Sequence, residues 1–465
     1  MTPIRSVSLA CVSALLIAAA PAARPQYGGT LRIAVDSNPR ALDPATADAA
    51  MARRVLPMVF ETLITVDRGG LQPGLATAWE RLPTGAWRIQ LRRGVRLHDG
   101  SLLEPGIVAA AVKTRLPLWN VTPGDGSITI EPGANPADVP WALALRRNAI
   151  VVRQPGALLG TGPFRLDQRA ATHVTLAAHD GYWNGRPFAD AIDVRFERPT
   201  AAGQAADLEA GRLDIASARP ADVRRSAQRQ LRTFVSQPVD LVMVAVEPDR
   251  VTDLMAPVLR ALAAAFDRQT IARVVAQGQA EPATTLLPAW IGGYVLPALQ
   301  GRVLSRANVA ALPVRLRTFV LRVPPDDPVL RAIADRLVVD AQQAGITITL
   351  QVPDGRVTPR ADARLLRVAV DVTSPERALA GVLTPLTPRM AMLVGVSPPP
   401  GAPVEDVVRS ESALAEQHVL VPIVHLPEII AVAPGVDGWS GPLVRADGSW
   451  NLADAWLRGA ETAAR

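Results

Sequence analysis

Alternating apolar and polar residues mark the first predicted strand. In Gly29–Val35 the apolar residues Leu31, Ile33 and Val35 occupy every second position, which is typical of a half-buried strand. Ala86–Leu91 predicts a second short strand, and the apolar run Leu241–Val246 predicts a buried strand that is also a plausible hinge segment. The chain thus contains strands on both sides of its midpoint.

Helical spacing is clearest in Asp253–Gly278. Pro257 is placed where a first helical turn tolerates proline, and one face carries the residues Leu259, Leu262, Ala263 and Phe266. Asp267 then predicts the cap of a second helix that ends before Gly278. Helical patterns are also expected over Ala49–Leu63, Ile107–Arg115 and Leu452–Arg458.

A strand, a helix and a second strand follow one another after residue 313. Val314–Val323 predicts a strand, Asp327 caps a helix that Gly345 ends, and Ile346–Val352 predicts the second strand. Such a unit is right-handed and its strands are parallel. This pattern predicts an α/β lobe in the C-terminal half.

The N-terminal residues 1–22 have the features of a signal peptide. Arg5 supplies the positive charge, Ser6–Ala20 is apolar but too short to span a bilayer, and Ala20-Pro21-Ala22 offers small residues for cleavage after Ala22. A buried N-terminal helix is the alternative. No second apolar run of membrane length follows, so we expect a soluble mature chain.

The cysteine content excludes several kinds of site from the mature chain. The chain's one cysteine, Cys11, lies inside the apolar leader, and the residues before it make a poor lipoprotein box, so lipid anchoring is not expected. A mature chain without thiols has no disulfide, no cysteine-ligated zinc and no cysteine nucleophile.

Composition and charge argue against nucleic acid. The pI is about 10.4, but the net charge is only +6 on 465 residues, and Lys113 is the sole lysine among 49 basic residues. No dense basic run is interleaved with aromatic residues. About half of the residues are hydrophobic, which is ample for the two or three packed units expected of this length.

Motifs for catalysis, metals or nucleotides are missing from the sequence. The five histidines lack metal-ligand spacing, and no GxSxG elbow is present. His418 and His425 are interpreted as polar neighbours of a core. Gly160–Leu166 (GTGPFRL) lacks the spacing and the lysine of a phosphate loop. We therefore predict no metal, no cofactor and no enzymatic activity, although a secreted hydrolase with an unrecognised site is an alternative.

Four segments carry a family resemblance in order along the chain. They are LQPGLATAWE at 71–80, LRRGVRLHDG at 91–100, GTGPFRL at 160–166 and DGYWNGRP at 180–187. Together they resemble the extracellular solute-binding proteins of family 5, the peptide- and nickel-binding subunits of bacterial ABC importers. Leu97 departs from the aromatic residue usual in this family.

The resemblance implies an α/β, two-lobed periplasmic binding protein of the type II-like class C, with a small subdomain inserted in lobe one. Lobe one is expected to comprise residues 27–48, 161–247 and 428–465. The inserted subdomain takes residues 49–160, and lobe two takes residues 248–427.

The same resemblance implies a ligand site between the lobes. The loop after the first strand contributes Asn38, Pro39 and Arg40. Asp371, in the segment VDVTSP, is the candidate anchor for a ligand amine. Arg367 and Arg389 are candidate partners of a carboxylate, because a guanidinium can bind one through two parallel hydrogen bonds; the alternative for each arginine is a solvated surface charge.

The implied function is the capture of peptides or similar small solutes for delivery to an ABC permease at the membrane. The protein is expected to be a monomer in the periplasm. A degenerate member that acts as a sensor or scaffold is the main alternative, since aromatic residues make up only 4% of the chain.

Overall fold

The computed structural model describes most of the chain between residues 25 and 459. The described ranges are 25–35, 41–47, 49–67, 70–133, 139–196, 201–296, 304–325, 327–353, 360–395, 398–399, 401–438 and 443–459. The predicted signal peptide and the candidate residues Asn38, Pro39 and Arg40 lie outside these ranges. Within them, no helix has the length and apolar character needed to cross a membrane.

The strands of the described residues form one large sheet and several small ones. They are β1 (Thr30–Ala34), β2 (Ile64–Asp67), β3 (Gly70–Pro73), β4 (Ala76–Arg81), β5 (Trp87–Leu91), β6 (Asn120–Gly124), β7 (Ser127–Glu131), β8 (Val152–Gln154), β9 (Ala157–Leu159), β10 (Phe164–Arg169), β11 (His173–Ala178), β12 (Ala191–Arg195), β13 (Ile215–Ser217), β14 (Arg232–Val246), β15 (Glu281–Pro282), β16 (Thr318–Arg322), β17 (Thr347–Gln351), β18 (Ala363–Ala369), β19 (Leu420–Val432), β20 (Val436–Gly438) and β21 (Ala455–Leu457).

Helices pack on the large sheet and on the strands of a smaller one. They are α1 (Ala49–Arg54), α2 (Pro105–Arg115), α3 (Val139–Ala144), α4 (Ala201–Glu209), α5 (Val223–Gln228), α6 (Ala256–Ala265), α7 (Arg268–Thr270), α8 (Ala289–Gly292), α9 (Arg306–Ala310), α10 (Val314–Arg317), α11 (Pro328–Gln343), α12 (Pro375–Leu383), α13 (Pro388–Val394) and α14 (Val404–Gln417). A π-helical segment, Ile271–Val275, continues α7.

Two long strands connect the halves of the large sheet. The strand order is β10-β11-β12-β1-β13-β19-β14-β18-β16-β17, with β15 on β19. The end of β19 pairs with β13, and the end of β14 pairs with β18. We call β1–β13, β20, β21 and α1–α5 the first lobe, and β15–β18 with α6–α14 the second lobe; β14 and β19 belong to both.

Each lobe has its own hydrophobic core. In the first lobe, one core packs β1, β11 and β12 against the C-terminal segment, and a second fills the small subdomain, which we define as β2–β7 with α2 and α3. In the second lobe, α6 and α11 cover one face of the sheet, and α12 and α14 cover the other. The site described below lies where these separately packed bodies meet.

Several local predictions are confirmed. The strands predicted at Gly29–Val35 and Ala86–Leu91 are β1 and β5. The carboxylate of Asp267 accepts a hydrogen bond from the backbone N–H of Thr270. Asp327 caps α11 by accepting from Val329 and Leu330, and β16 and β17 are parallel.

Three predicted elements are corrected by the structure. The helix expected over Ala49–Leu63 ends at Arg54, because Pro57 lacks the N–H that would bond to the carbonyl of Arg53. The strand expected from Val314 begins at Thr318, where its pairing with Thr347 starts, and α10 precedes it. Leu452–Arg458 is not a helix: its residues Ala455–Leu457 form β21, which pairs with β20.

The two segments LHDG and GTGP, which are 60 residues apart, meet in the first lobe. The backbone N–H of Gly160 donates to Nδ1 of His98 at 3.2 Å, and Nε2 of His98 lies 3.2 Å from the carbonyl of Gly162. Gly160 and Gly162 also press directly against the backbone of Met58 and Val59. GTGP is therefore a packed structural segment of the first lobe, and it lacks the lysine of a phosphate loop.

Candidate functional site

A cavity of about 440 Å³ lies between the two lobes. The first lobe supplies most of its wall, including the β2–β3 hairpin and the C-terminal segment 445–454, and the second lobe supplies Asp371 and Val372. This volume is within the usual range for pockets that bind small molecules. Its main polar and aromatic lining residues are Phe60, Glu61, Asp67, Arg146, Tyr182, Trp183, Asn184, Asp371, Arg445, Asp447, Trp450 and Asp454.

Glu61 organises the aromatic part of this wall. Its carboxylate accepts hydrogen bonds from the hydroxyl of Tyr182 at 3.0 Å, from Nε1 of Trp183 at 3.1 Å and from Oγ1 of Thr161 at 2.8 Å. Burial raises the pKa of Glu61 in spite of these donors. Burial and the neighbouring carboxylate also raise the pKa of Tyr182. The polar ends of both aromatic residues are thus held by the protein itself.

Arg146 and Asp447 form a second fixed part of the wall. The guanidinium lies 2.7 Å from the Asp447 carboxylate and also donates to the Asp447 carbonyl. Burial alone would raise the pKa of Asp447, but Arg146 and the hydrogen bonds of Ser449 lower it. This pair ties the turn after α3 to the C-terminal segment.

The structure places Asp371 in the cavity wall, directly after β18. Its Oδ2 lies 3.0 Å from Nη1 of Arg147, which belongs to the turn after α3 in the first lobe. The Asp371 side chain is 39% exposed and the Arg147 side chain 52%. The candidate anchor for a ligand amine therefore already contacts a cation from the first lobe.

Arg367 and Arg389 do not line this cavity. The guanidinium of Arg367 binds Asp240 at 2.7 Å and lies 3.5 Å from Asp327. Arg389 is 67% exposed on α13 and pairs with Asp249 at 2.8 Å. Of the candidate residues within the described ranges, the structure brings only Asp371 to the cavity.

A buried charged cluster lies behind the cavity, where α1 packs on the two long strands. Arg53 lies 2.8 Å from Asp240 of β14, and Arg54 lies 2.7 Å from Glu428 of β19. Nε1 of Trp450, which lines the cavity, donates to Glu428 at 3.3 Å. Arg367 of β18 also belongs to the cluster, because its guanidinium binds Asp240.

Electrostatics keep Asp240 ionised in this cluster. Burial alone would raise the pKa of Asp240, but the guanidinium groups of Arg53 and Arg367 hold it well below its usual range.

Sequence reasoning missed the cluster. Its signal was the pair of adjacent arginines, Arg53 and Arg54, in an otherwise apolar segment, together with single carboxylates inside two apolar strands.

The buried histidines have structural roles. His425 lies on β19 beside the carbonyl of Leu286, and burial lowers its pKa to about 4. His98 has a pKa of about 4 for the same reason, and burial also lowers the pKa of His418. Within the described ranges, no group of three His, Cys, Asp or Glu residues suits a metal ion.

Comparison with known proteins points to one family. Residues 147–382, half of the chain, match the family model of bacterial extracellular solute-binding proteins, family 5, middle region. The peptide transport periplasmic protein SapA of Salmonella typhimurium is 28% identical over 239 residues, which cover 49% of this chain and 42% of SapA. The nickel-binding protein NikA of Staphylococcus aureus is 23% identical over 74% of this chain and 73% of NikA.

Solved structures support the same fold. A dipeptide-binding protein from Pseudoalteromonas sp. SM9913, solved in complex with Met-Leu, superposes with a TM-score of 0.76 at 16% identity, covering 92% of this chain and 100% of the other. This likeness confirms the two-lobed α/β fold.

The chain spans less than half the length of the first curated relatives that it matches. The family model, however, extends from the end of the small subdomain through β14, one of the two long strands, and into α12 of the second lobe. From this match and the two-lobed fold, we conclude that the chain belongs to the bacterial extracellular solute-binding proteins of family 5.

Proposed function

We propose that this chain is the substrate-binding component of an ABC import system. It captures a peptide or a similar small solute between its lobes and presents it to a membrane permease. It works as a monomer in the periplasm after removal of residues 1–22. The lobe limits predicted from the sequence, with the second lobe at residues 248–427, are part of this proposal.

One observation carries the proposal: both lobes contribute to the wall of a single cavity. A solute in that cavity touches both walls only when the lobes are together. It therefore favours the closed form by the difference between its affinities for the closed and open states. Such a cycle binds and releases the solute without changing it.

Asp371 is the residue that we retain as the anchor for a ligand amine, because it is the candidate that lines the cavity from the second lobe. Asn38, Pro39 and Arg40 stay predictions. Arg367 and Arg389 also stay predictions. Each already pairs with an aspartate of the protein, which favours a structural role.

Relatives give the class of solute to try first. SapA is described as a peptide transport protein and NikA as a nickel-binding protein. Native mass spectrometry of the protein purified from its own host, followed by release of whatever it carries, identifies the solute directly. Calorimetry with dipeptides and tripeptides, each with a free or an acetylated amine, then tests the anchor.

Asp371→Ala is expected to weaken the binding of a free-amine peptide by about 2–4 kcal/mol, because it leaves a charge unpaired in the cleft. Asp335→Asn, a change at an exposed carboxylate on α11, is the control and leaves the affinity unchanged. An Asp371→Ala protein with wild-type affinity removes Asp371 from the site. A protein that neither carries nor binds any small solute contradicts the proposed function.

A sensor or scaffold is the second candidate function. Arg147 pairs with Asp371, and Glu61 accepts hydrogen bonds from the polar ends of Tyr182 and Trp183, so these groups of the cavity wall already have partners within the protein. If no added peptide or metal chelate changes the melting temperature, that result would favour this role over transport.

A further inference from the structure

An ion pair at Asp371, in the cavity wall, joins one lobe to the other. Arg147 lies in the turn after α3, in the body that includes the small subdomain, and Asp371 follows β18 in the second lobe. The two charged atoms are 3.0 Å apart although the residues are separated by 224 positions in sequence. The pair thus joins elements that share no hydrophobic cluster.

Both ends of this contact are held by their own lobes. The neighbouring Arg146 binds the side chain and the carbonyl of Asp447 in the first lobe, which fixes the turn that carries Arg147. On the other side, Val370, next to Asp371, is 2% exposed and packs in the core of the second lobe with Leu379 and Val382, which fixes the start of the segment that carries Asp371. A change in the distance between the lobes must therefore stretch or break the ion pair.

We propose that Arg147 and Asp371 form a latch that holds the cleft closed when no solute is bound. Arg147 supplies from within the chain a cation that links the two walls. A solute that places its own cation on Asp371 displaces Arg147 and takes over the link. This last step rests on the proposed function, but the latch itself does not.

The latch is weak enough to be displaced. Both side chains are about half exposed, and exposed ion pairs shift an equilibrium by about two- to five-fold. A contact of this size populates the closed form measurably and still yields to a solute. A buried pair would lock the cleft instead.

The test measures the distance between the lobes without any solute. Lys113 on α2 and Gln342 on α11 are exposed residues on opposite lobes, and both are replaced by cysteine in a Cys11→Ser background to carry spin labels. Arg147→Glu and Asp371→Arg are each expected to lower the ratio of short-distance to long-distance conformers by at least about two-fold. The combined variant, Arg147→Glu with Asp371→Arg, restores the ratio because the opposite charges face each other again.

Arg88→Glu is the matched control. Arg88 is 51% exposed and pairs with Glu80 inside the four-stranded sheet of the small subdomain, so the same change of charge leaves the distances between the labels unaltered. Thermal unfolding of each variant confirms that the lobes are folded. Raising the salt concentration is expected to act on the wild type as Arg147→Glu does, because ions screen exposed pairs.

Three results would contradict the latch. Arg147→Glu could leave the distances as they are in the wild type, or the combined variant could stay as open as the single ones. Arg88→Glu could also open the cleft as much as Arg147→Glu does. A protein that transports nothing can still pass this test. Conversely, the protein could bind peptides while the Arg147 and Asp371 variants leave the distances between the labels unchanged. That result would contradict the latch but not the proposed function.

Discussion

Pro238 of β14 lies directly opposite Pro427 of β19, at the point where the two long strands pass from one lobe to the other. Neither residue has a backbone N–H to give to the ladder. The register shifts on both sides of Pro238, and side chains replace the missing ladder bonds: Ser236 accepts from the N–H of Glu428, and Trp290 donates to the carbonyl of Pro238. The waist between the lobes is thus a weak point of an otherwise continuous sheet.

Hydrogen exchange should be uneven along β14. We expect the amides around Pro238 to exchange faster than those of Leu241–Val246, because the latter are paired on both sides, with β18 and β19, and regular ladders open less often. Mass spectrometry of peptides from the two parts of the strand measures this directly. Equal protection along the whole strand would show that the waist is as rigid as the lobes.

Asp240→Asn is expected to destabilise the protein strongly. Asp240 is 5% exposed and binds both Arg53 and Arg367, so its neutralisation takes the nearest carboxylate from the buried Arg53 and the partly buried Arg367. Breaking a buried pair in this way costs on the order of 3–5 kcal/mol of unfolding free energy. Urea unfolding measures the loss.

The control for this prediction is Asp335→Asn. Asp335 pairs with Arg331 on α11, and both side chains are more than half exposed, so we expect a loss below about 1 kcal/mol. If the two variants lose the same amount, the cluster at the waist is no more important than a surface pair.

The free energy of unfolding should fall as the pH drops below about 6.5, because the protein contains buried histidines. The pKa of His425 is about 4 in the folded chain, against an ordinary value of 6.5. Between these values the unfolded chain binds a proton that the folded chain does not, so the unfolding free energy falls as the pH falls, by up to about 3 kcal/mol for this residue. Above about pH 6.5 the histidine is neutral in both states and contributes no pH dependence.

His425→Gln removes this sensitivity while keeping a side-chain donor for the carbonyl of Leu286. Urea midpoints at pH 7 and at pH 4.5 should differ less in the variant than in the wild type. An identical difference in both proteins would mean that His425 is protonated in the folded chain.

Gly162→Ala should disrupt the first lobe. A β-carbon at this position would lie 2.5 Å from the carbonyl oxygen of Met58 and 2.8 Å from the backbone carbon of Val59, and neither atom belongs to a flexible side chain. We expect a loss of about 3 kcal/mol in unfolding free energy from overpacking. Thermal or urea unfolding gives the value.

Gly106→Ala is the matched control. Gly106 lies in the first turn of α2, and its β-carbon would meet no heavy atom within 4 Å. Alanine is the better helix former, so this change is expected to stabilise by about 0.5–1 kcal/mol. A Gly162→Ala protein as stable as Gly106→Ala would contradict the close contact between the GTGP turn and residues 58–59.

The sequence by itself determined the local structure wherever short-range hydrogen bonds and periodic burial decide it. The alternation in β1, the Asp327 cap of α11 and the parallel unit of β16 and β17 depend on residues close together in the chain. The motifs also predicted the family, because their order and approximate spacing resemble those of its members.

Tertiary structure alone decided the rest. Leu452–Arg458 has a helical pattern, yet part of it pairs with β20 as a strand because pairing buries Ala455 and Trp456 in the first lobe. Arg53 and Asp240 are 187 positions apart, and Arg367 looked as suitable for a ligand as for Asp240. Which charges meet across such separations depends on how the chain crosses between the lobes, and no local pattern records that.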